Sequence, residues 1–382
     1  MSDSMIAEST ERLFAGEMTR AVLDRFEAGQ FPHALWQQVT DQGLTLALAG
    51  EAAGGIGATW ADVYPILRGV GHWQVPLPLA ETLIAAQLLS LAGLEVPDGP
   101  IALIEEDTVG QFSISHTSVN PSAAGLQLSG TAQRVAWASA CRWALISLLP
   151  TAVQATGRIA LLDLQHSASV QITAHHNPAN EPCDTVLLRN APAVGHAANP
   201  FPALRRPLRT LGAIASSAMM VGAMEWLLAQ SVQYASDRVQ FGKPIGKNQA
   251  IQQQLALLAG EVAAARVAAI VACADAPGGG PTPGVSDCAA TVFSAAVAKI
   301  RCGEAATRSA AIAHQVHGAI GFTFDHRLNF ATRRLWAWRE AYGADGWWAG
   351  KLGEAAIQSR SAGFWPSMTS RHFSGLDLQP NT

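Results

Sequence analysis

The chain has 382 residues, 49% of them apolar and 14% charged, with a formal net charge of -4. That length exceeds one ordinary core, so two or three domains or layers sharing an interface are expected. So little charge covers a monomer's surface poorly, so association with other chains is expected. The charge balance and the lack of any basic run longer than the Arg205, Arg206 and Arg333, Arg334 pairs exclude nucleic acid as a partner.

The N-terminus carries Asp3, Glu8, Glu11 and Arg12 where a secretory signal would need a basic region and an apolar run. Over residues 9–94 apolar positions such as Leu35, Val39 and Leu44 recur at helical spacing, with breaks at the Gly54, Gly55, Gly57 turn and at Pro76 and Pro78. A helical domain over residues 1–100 follows. After Pro97, Asp98, Gly99 and Pro100 the texture changes to short β-prone runs at 101–104, 144–149 and 159–162, which sets a middle β-barrel or sandwich domain over 101–203. Alanine-rich helical patterning resumes at Leu208 and passes Trp338, broken by the Pro- and Gly-rich residues 277–284. Helices beginning near Leu208, Lys247, Ser286 and His326 predict a C-terminal four-helix bundle over 204–382, giving an α+β chain in α, β, α order. Met219, Met220, Trp226 and Leu255 are read as core fillers. The longest uncharged helical stretch, residues 210–224, falls short of the roughly 20 residues that span a bilayer, so no membrane partner is expected. The 5 cysteines are scattered and form no Cys-x-x-Cys spacing, which points to neither a disulfide framework nor a zinc site and suggests a cytoplasmic location.

Residues 238–256 read RVQFGKPIGKNQAIQQQLA, an arginine before a Phe-Gly turn and then a glutamine-rich helix. The guanidinium of Arg238 offers a permanently charged fork for phosphate oxygens, and Phe241 puts an aromatic face beside it. A pyrophosphate is the natural ligand of such a pair. Downstream, residues 298–322 read AKIRCGEAATRSAAIAHQVHGAIGF. There the amide of Gln315 can satisfy a ribose or phosphate oxygen, and Gly318 lets backbone come close. His314 and His317 flank Gln315 without a carboxylate at metal spacing, so they are read as packed or capping residues and no metal is expected.

With residues 31–57, these two segments make the chain resemble the acyl-CoA dehydrogenase family over essentially its whole length. The resemblance implies FAD, an acyl-CoA substrate, an electron-transfer acceptor, and a homo- or hetero-oligomer in which Arg238, Phe241, Gln315 and Gly318 reach across a subunit interface to the ADP half of the flavin. Residues 76–82 (PLPLAET) and 321–326 (GFTFDH) are similar to divergent bacterial members that work as two-gene heteromers on bulky steroid-type thioesters.

The family's reaction needs a carboxylate base to take the proton next to the thioester. At the two positions where the resemblance places that glutamate stand Tyr342 and Ala265, the latter just before Arg266. Two carboxylates remain close in sequence: Glu261, one helical turn before Ala265 and ranked first, and Glu340, two residues before Tyr342. In the middle domain, the strand that holds Trp-x-Thr against the flavin in the family offers Arg134 and Ala136, and no Thr-Glu-x-x-x-Gly-Ser segment lies between Glu105 and Asn120. The expected function is FAD-dependent α,β-dehydrogenation of an acyl-CoA, with the base supplied by a partner chain. The alternatives are a homo-oligomer with an unconventional base and a non-catalytic structural subunit.

Overall fold

The computed structural model describes residues 3–106, 113–116, 125–150, 156–165, 168–278, 288–373 and 376. Five helices come first: α1 (Asp3–Glu17), α2 (Arg20–Glu27), α3 (His33–Asp41), α4 (Trp60–Trp73) and α5 (Leu79–Leu91). A capping box starts α4, with Thr59 accepting from the Asp62 N–H while the Asp62 carboxylate accepts from the Thr59 N–H at 2.7 Å. Helix α5 has no polar face, and every residue from Leu79 to Leu89 is buried. A helix apolar all round must run through the interior, which carries Glu81, in its first turn, inward with it.

The middle of the chain forms β1 (Ile101–Glu105), β2 (Ser113–His116), β3 (Leu126–Ala136), β4 (Trp143–Leu148), β5 (Arg158–Asp163), β6 (Val170–Thr173) and β7 (Cys183–Ala198). They make one sheet in the order β1, β4, β5, β7, β3, β2, with β6 also on β7. Only β1 and β4 run parallel among these pairs. Register shifts between Leu128 and Gly130, Ala132 and Val135, and Leu161 and Leu162 let the long β7 bend and serve two sides of a curled sheet. Period-2 alternation then splits the strands between two cores. Ile101, Leu103, Leu145, Ile159 and Leu161 face the helices, while Ala102, Ile104, Ile146, Ala160 and Leu162 face a second core with Phe26 and Trp137.

The C-terminal part comprises α6 (Pro207–Asp237), α7 (Gln249–Ala274), α8 (Cys288–His317), α9 (Leu328–Glu340) and α10 (Asp345–Ser370), with a small hairpin of β8 (Val239–Gln240) and β9 (Lys243–Pro244) after α6. The α+β order, with its C-terminal helical bundle, is thus the one expected. Buried Arg334 of α9 pairs with buried Glu181 ahead of β7 at 3.2 Å, fastening bundle to sheet. Met219, Met220 and Trp226 are core residues, whereas Leu255 is only half-buried on α7.

Two helices are longer and more apolar than the sequence reading allowed. By length and hydropathy both α6 and α7 could cross a membrane, the expectation having stopped α6 at the Glu225 charge. Their burial separates them. The apolar window of α6 is 89% buried in the core, that of α7 only 28%. Leu257, Val267, Ile270 and Val271 of α7 face outward, an apolar surface of the kind a second protein covers.

Candidate functional site

Two clusters stand out, one on the surface at the ends of α6 and α8, the other buried where helices and sheet meet. In the surface cluster, Arg238 ends α6 and the chain folds into the β8, β9 hairpin through Phe241 and Gly242, whose φ angles are +52° and +78°. Two successive positive φ values are what a tight type I′ hairpin needs. Glycine takes this conformation freely. Phenylalanine does not, and Phe241 is moreover 100% exposed, a strained apolar side chain with nothing beneath it in this subunit. Gly246 packs the hairpin base on α6, where a Cβ would lie 3.0 Å from the Ala235 carbonyl.

The C-terminal end of α8 lies alongside. Tyr234, one turn before Arg238, stacks on His317, two residues past Gln315, with ring centroids 4.5 Å apart. His314 stacks on Phe322 at 4.3 Å, and His317 contacts His326 at 4.9 Å. Burial first, and neighbouring histidines for His314 and His317, hold all three imidazoles below their usual range, so they act as neutral packing. Gln315 and Gly318, at φ +65°, are exposed beside them. Arg238, Lys243 and Lys247 are exposed as well, and no side chain among the described residues pairs with any of the three. Helix C-termini repel anions, so an anion here needs such cations. Exposed Val239, Ile320, Phe322 and Phe324 add to the apolar character of this end.

The buried cluster centres on Tyr342, between α9 and α10. Its ring lies against α6 so closely that a Cβ on Gly212 would be 2.3 Å from it. The residue is itself at φ +55°, and the indole N–H of Trp348 donates to its carbonyl at 3.1 Å. Its hydroxyl donates to Oε1 of Glu81 at 3.0 Å, joining residues 261 positions apart. Glu81 is only 7% exposed, and among the described residues no cation pairs with it. Burial pushes its carboxyl up to about 7, against the hydrogen bonds from its own backbone and from Tyr342. Burial and the Glu81 charge in turn hold the Tyr342 phenol well above its usual range. Nearby, Glu105 at the end of β1 is also raised to about 7 by burial, offset by the Arg209 N–H and guanidinium, and Arg209 stacks over Trp347 at 4.8 Å. Buried Lys299 donates to Ser216 at 3.2 Å and to the Trp338 carbonyl, which pins the last turn of α9.

The two carboxylates chosen from sequence lie elsewhere. Glu261 is clasped between Arg301 and Arg308, with the Arg308 contact at 2.6 Å. Glu340 is exposed at the end of α9, and Ala265 is buried in α7 with its carbonyl facing Cys302. The carboxylate that reaches Tyr342 is Glu81, in the PLPLAET stretch singled out for another reason, and an acidic residue as the one charge of a largely apolar helix was the available clue. On β3, Arg134 is exposed and Ala136 half-buried, and Trp137 packs inward on Phe26 at 5.9 Å. Most of the segment between Glu105 and Asn120 lies outside the described residues.

Fold and surface cluster together define a helical-bundle protein carrying a cationic, aromatic cradle suited to an anionic nucleotide. Residues 210–352 match the family model described as acyl-CoA dehydrogenase, C-terminal domain. The chain is 27% identical over 307 residues to acyl-CoA dehydrogenase IpdE2 of Mycobacterium tuberculosis, covering 80% of each protein. Among solved structures it is similar to the ChsE4-ChsE5 complex from Mycobacterium tuberculosis, with a TM-score of 0.77 at 20% identity over 94% of this chain and 98% of that one. A second is the Tcur3481-Tcur3483 steroid ACAD G363A variant, with a TM-score of 0.78 at 23% identity over 94% and 98%. Residues 210–352 thus carry an acyl-CoA dehydrogenase C-terminal domain, and over most of its length the chain is similar to acyl-CoA dehydrogenases, FAD-dependent oxidoreductases acting on CH–CH bonds. Its residues fit the nucleotide half of FAD: unpaired cations for the pyrophosphate, an exposed phenyl ring and an exposed amide. For the flavin ring, the matching strand of this chain presents no aromatic face, since Trp137 is turned into the second core.

Proposed function

We propose that this chain is one subunit of an FAD-dependent acyl-CoA dehydrogenase, assembled with a second acyl-CoA dehydrogenase-like chain. Arg238 and Phe241 on one helix end and Gln315 and Gly318 on its neighbour hold the ADP portion of a flavin whose ring sits mainly in the paired chain. The observation that carries this reading is the fully exposed, positive-φ Phe241 beside unpaired Arg238, Lys243 and Lys247. Such a strained, uncovered aromatic is retained where a ligand and a partner surface meet it. The outward apolar face of α7 supplies area for that partner. The likeness to a steroid ACAD supports a bulky polycyclic acyl-CoA as the substrate class.

When bound, the flavin takes a hydride from the β-carbon of the thioester. The α-proton needs its own acceptor, and neither Glu261 nor Glu340 points to the family's base position. A carboxylate of the paired chain is one source and buried Glu81 the other. Co-expression with the acyl-CoA dehydrogenase-like genes beside its own tests the assembly: a yellow complex whose flavin bleaches on anaerobic addition of a steroid acyl-CoA is expected. A colourless complex that FAD cannot reconstitute overturns the reading.

A further inference from the structure

The geometry points to Tyr342 and Glu81 as a proton relay that takes the α-proton of the acyl thioester, Tyr342 receiving it from carbon and Glu81 storing it. This rests on the dehydrogenase reading above and assigns the base that the sequence lacks at the family's position.

Three observations converge. First, Tyr342 occupies that position and is aimed: a positive φ, a carbonyl held by Trp348, and a ring seated on the bare backbone at Gly212 leave it one orientation. Strain held by surrounding contacts in this way marks functional positions more often than ordinary packing. Second, the hydroxyl ends on a carboxylate 3.0 Å away, the reach required of a proton acceptor. Third, Glu81 is the only charged residue of α5, buried there with no cationic partner among the described residues, an arrangement that costs stability. Tyr342 as a whole is half-buried, whereas Glu81, at the end of its hydroxyl, is 7% exposed.

In the step, the α C–H bond breaks and its proton bonds to the Tyr342 oxygen as the phenolic proton moves to Oε1 of Glu81. Tyrosine ends as it began, neutral, and Glu81 becomes a carboxylic acid. The C–H electron pair becomes the new Cα–Cβ π bond, and the β-carbon's hydride leaves to the flavin, the oxidant of the established family chemistry. The phenol's resistance to ionisation keeps its proton on the hydrogen bond to Glu81 between turnovers. A carboxylate that ionises near neutrality suits a general base. The titratable groups acting on this pair are Glu181, Glu105, Cys141 and Cys183.

The test uses the flavin-loaded co-expressed assembly and a 3-thiaacyl-CoA, which can lose its α-proton without being oxidised, incubated in D2O and followed by mass spectrometry. The wild-type assembly is expected to exchange the α-hydrogen, with a rate that rises with pH towards about 7. Tyr342→Phe, which keeps the ring on Gly212, and Glu81→Gln, which keeps an acceptor for the hydroxyl, are each expected to slow exchange about 10²- to 10⁴-fold. Flavin content and thioester affinity should stay unchanged, and Glu81→Asp should regain part of the rate. Unchanged exchange in both variants overturns the relay and leaves the base to the paired chain. Absence of exchange in the wild type overturns it equally. A colourless assembly is a different failure, that of the dehydrogenase reading itself.

Discussion

The two clusters of this molecule solve opposite problems with the same kinds of residue. At the ends of α6 and α8, charge and aromatic surface are left open: Phe241 is fully exposed and Arg238 has no side-chain partner among the described residues. At the α5, α9 and α10 junction, charge and aromatic surface are closed in: the Tyr342 hydroxyl is bonded to a carboxylate with 7% exposure. The open cluster lacks contacts among the described residues, and on the proposed reading a ligand and a partner chain complete it. The closed cluster has contacts in excess and keeps a buried carboxyl despite the cost. Unfinished surfaces thus point to partners, and over-determined interiors to chemistry.

The first way to break this comparison is to spoil the open surface. Val267→Asp places a carboxylate on the outward apolar face of α7, where the side chain is 63% exposed in the single subunit. If a second chain covers that face, the unpaired charge should weaken assembly by about 3–5 kcal/mol, and the complex should dissociate in sedimentation velocity at micromolar concentration. Retention of the complex would place the interface elsewhere.

The closed cluster is probed by pH. Glu81 has a folded-state value raised to about 7 from an ordinary 4.5, so the sign is fixed. Below about 4.5 the carboxyl is neutral folded or unfolded, and its burial carries no charge penalty. Between about 4.5 and about 7 the unfolded chain ionises this carboxyl while the folded state keeps it protonated, so stability falls over that window and levels off above it. Glu81→Gln should therefore match the wild type near pH 4.5 and exceed it by about 3 kcal/mol at pH 8 in denaturant melts, while losing exchange activity. Equal stabilities at both pH values would mean that the carboxylate is solvated or paired.

What could be read from the chain follows the same division. The α, β, α order was legible because helical and alternating periodicities are local, as at Leu35, Val39 and Leu44 or at Ile101 and Leu103. The hairpin that carries Arg238 was legible because Phe241 and Gly242 are contiguous and a two-residue turn is a local feature. Glu81 was not recognised, since its meaning depends on Tyr342, 261 residues away, and on a helix buried on every side. The setting of Glu261 was hidden for the converse reason. On a helical wheel it neighbours Ala265, but the partners that decide its role, Arg301 and Arg308, come from α8 and answer to packing, not to spacing.

A smaller effect is expected at Arg238. Replacing one charge-assisted phosphate contact with alanine should weaken FAD retention about 10- to 100-fold, read as flavin per chain after dialysis. Apparent α-hydrogen exchange per bound flavin should not change, because this residue serves the open cluster alone. If Arg238→Ala holds flavin normally, the cationic hairpin is not the cradle.

The smallest effect separates the hairpin's fold from its use. Phe241→Gly removes an aromatic residue from a turn position with φ +52°, a conformation glycine adopts freely, and nothing in the subunit packs on the lost ring. The isolated subunit should melt no lower than the wild type, with a gain of about 2 °C or less. The assembled flavoprotein should melt lower and release FAD sooner, because the ring's contacts form only there. Opposite signs in subunit and assembly are the signature of a residue shaped by its partner. A loss in both would mean that Phe241 already packs within its own chain, and the contrast between an open and a closed cluster would fail at its clearest residue.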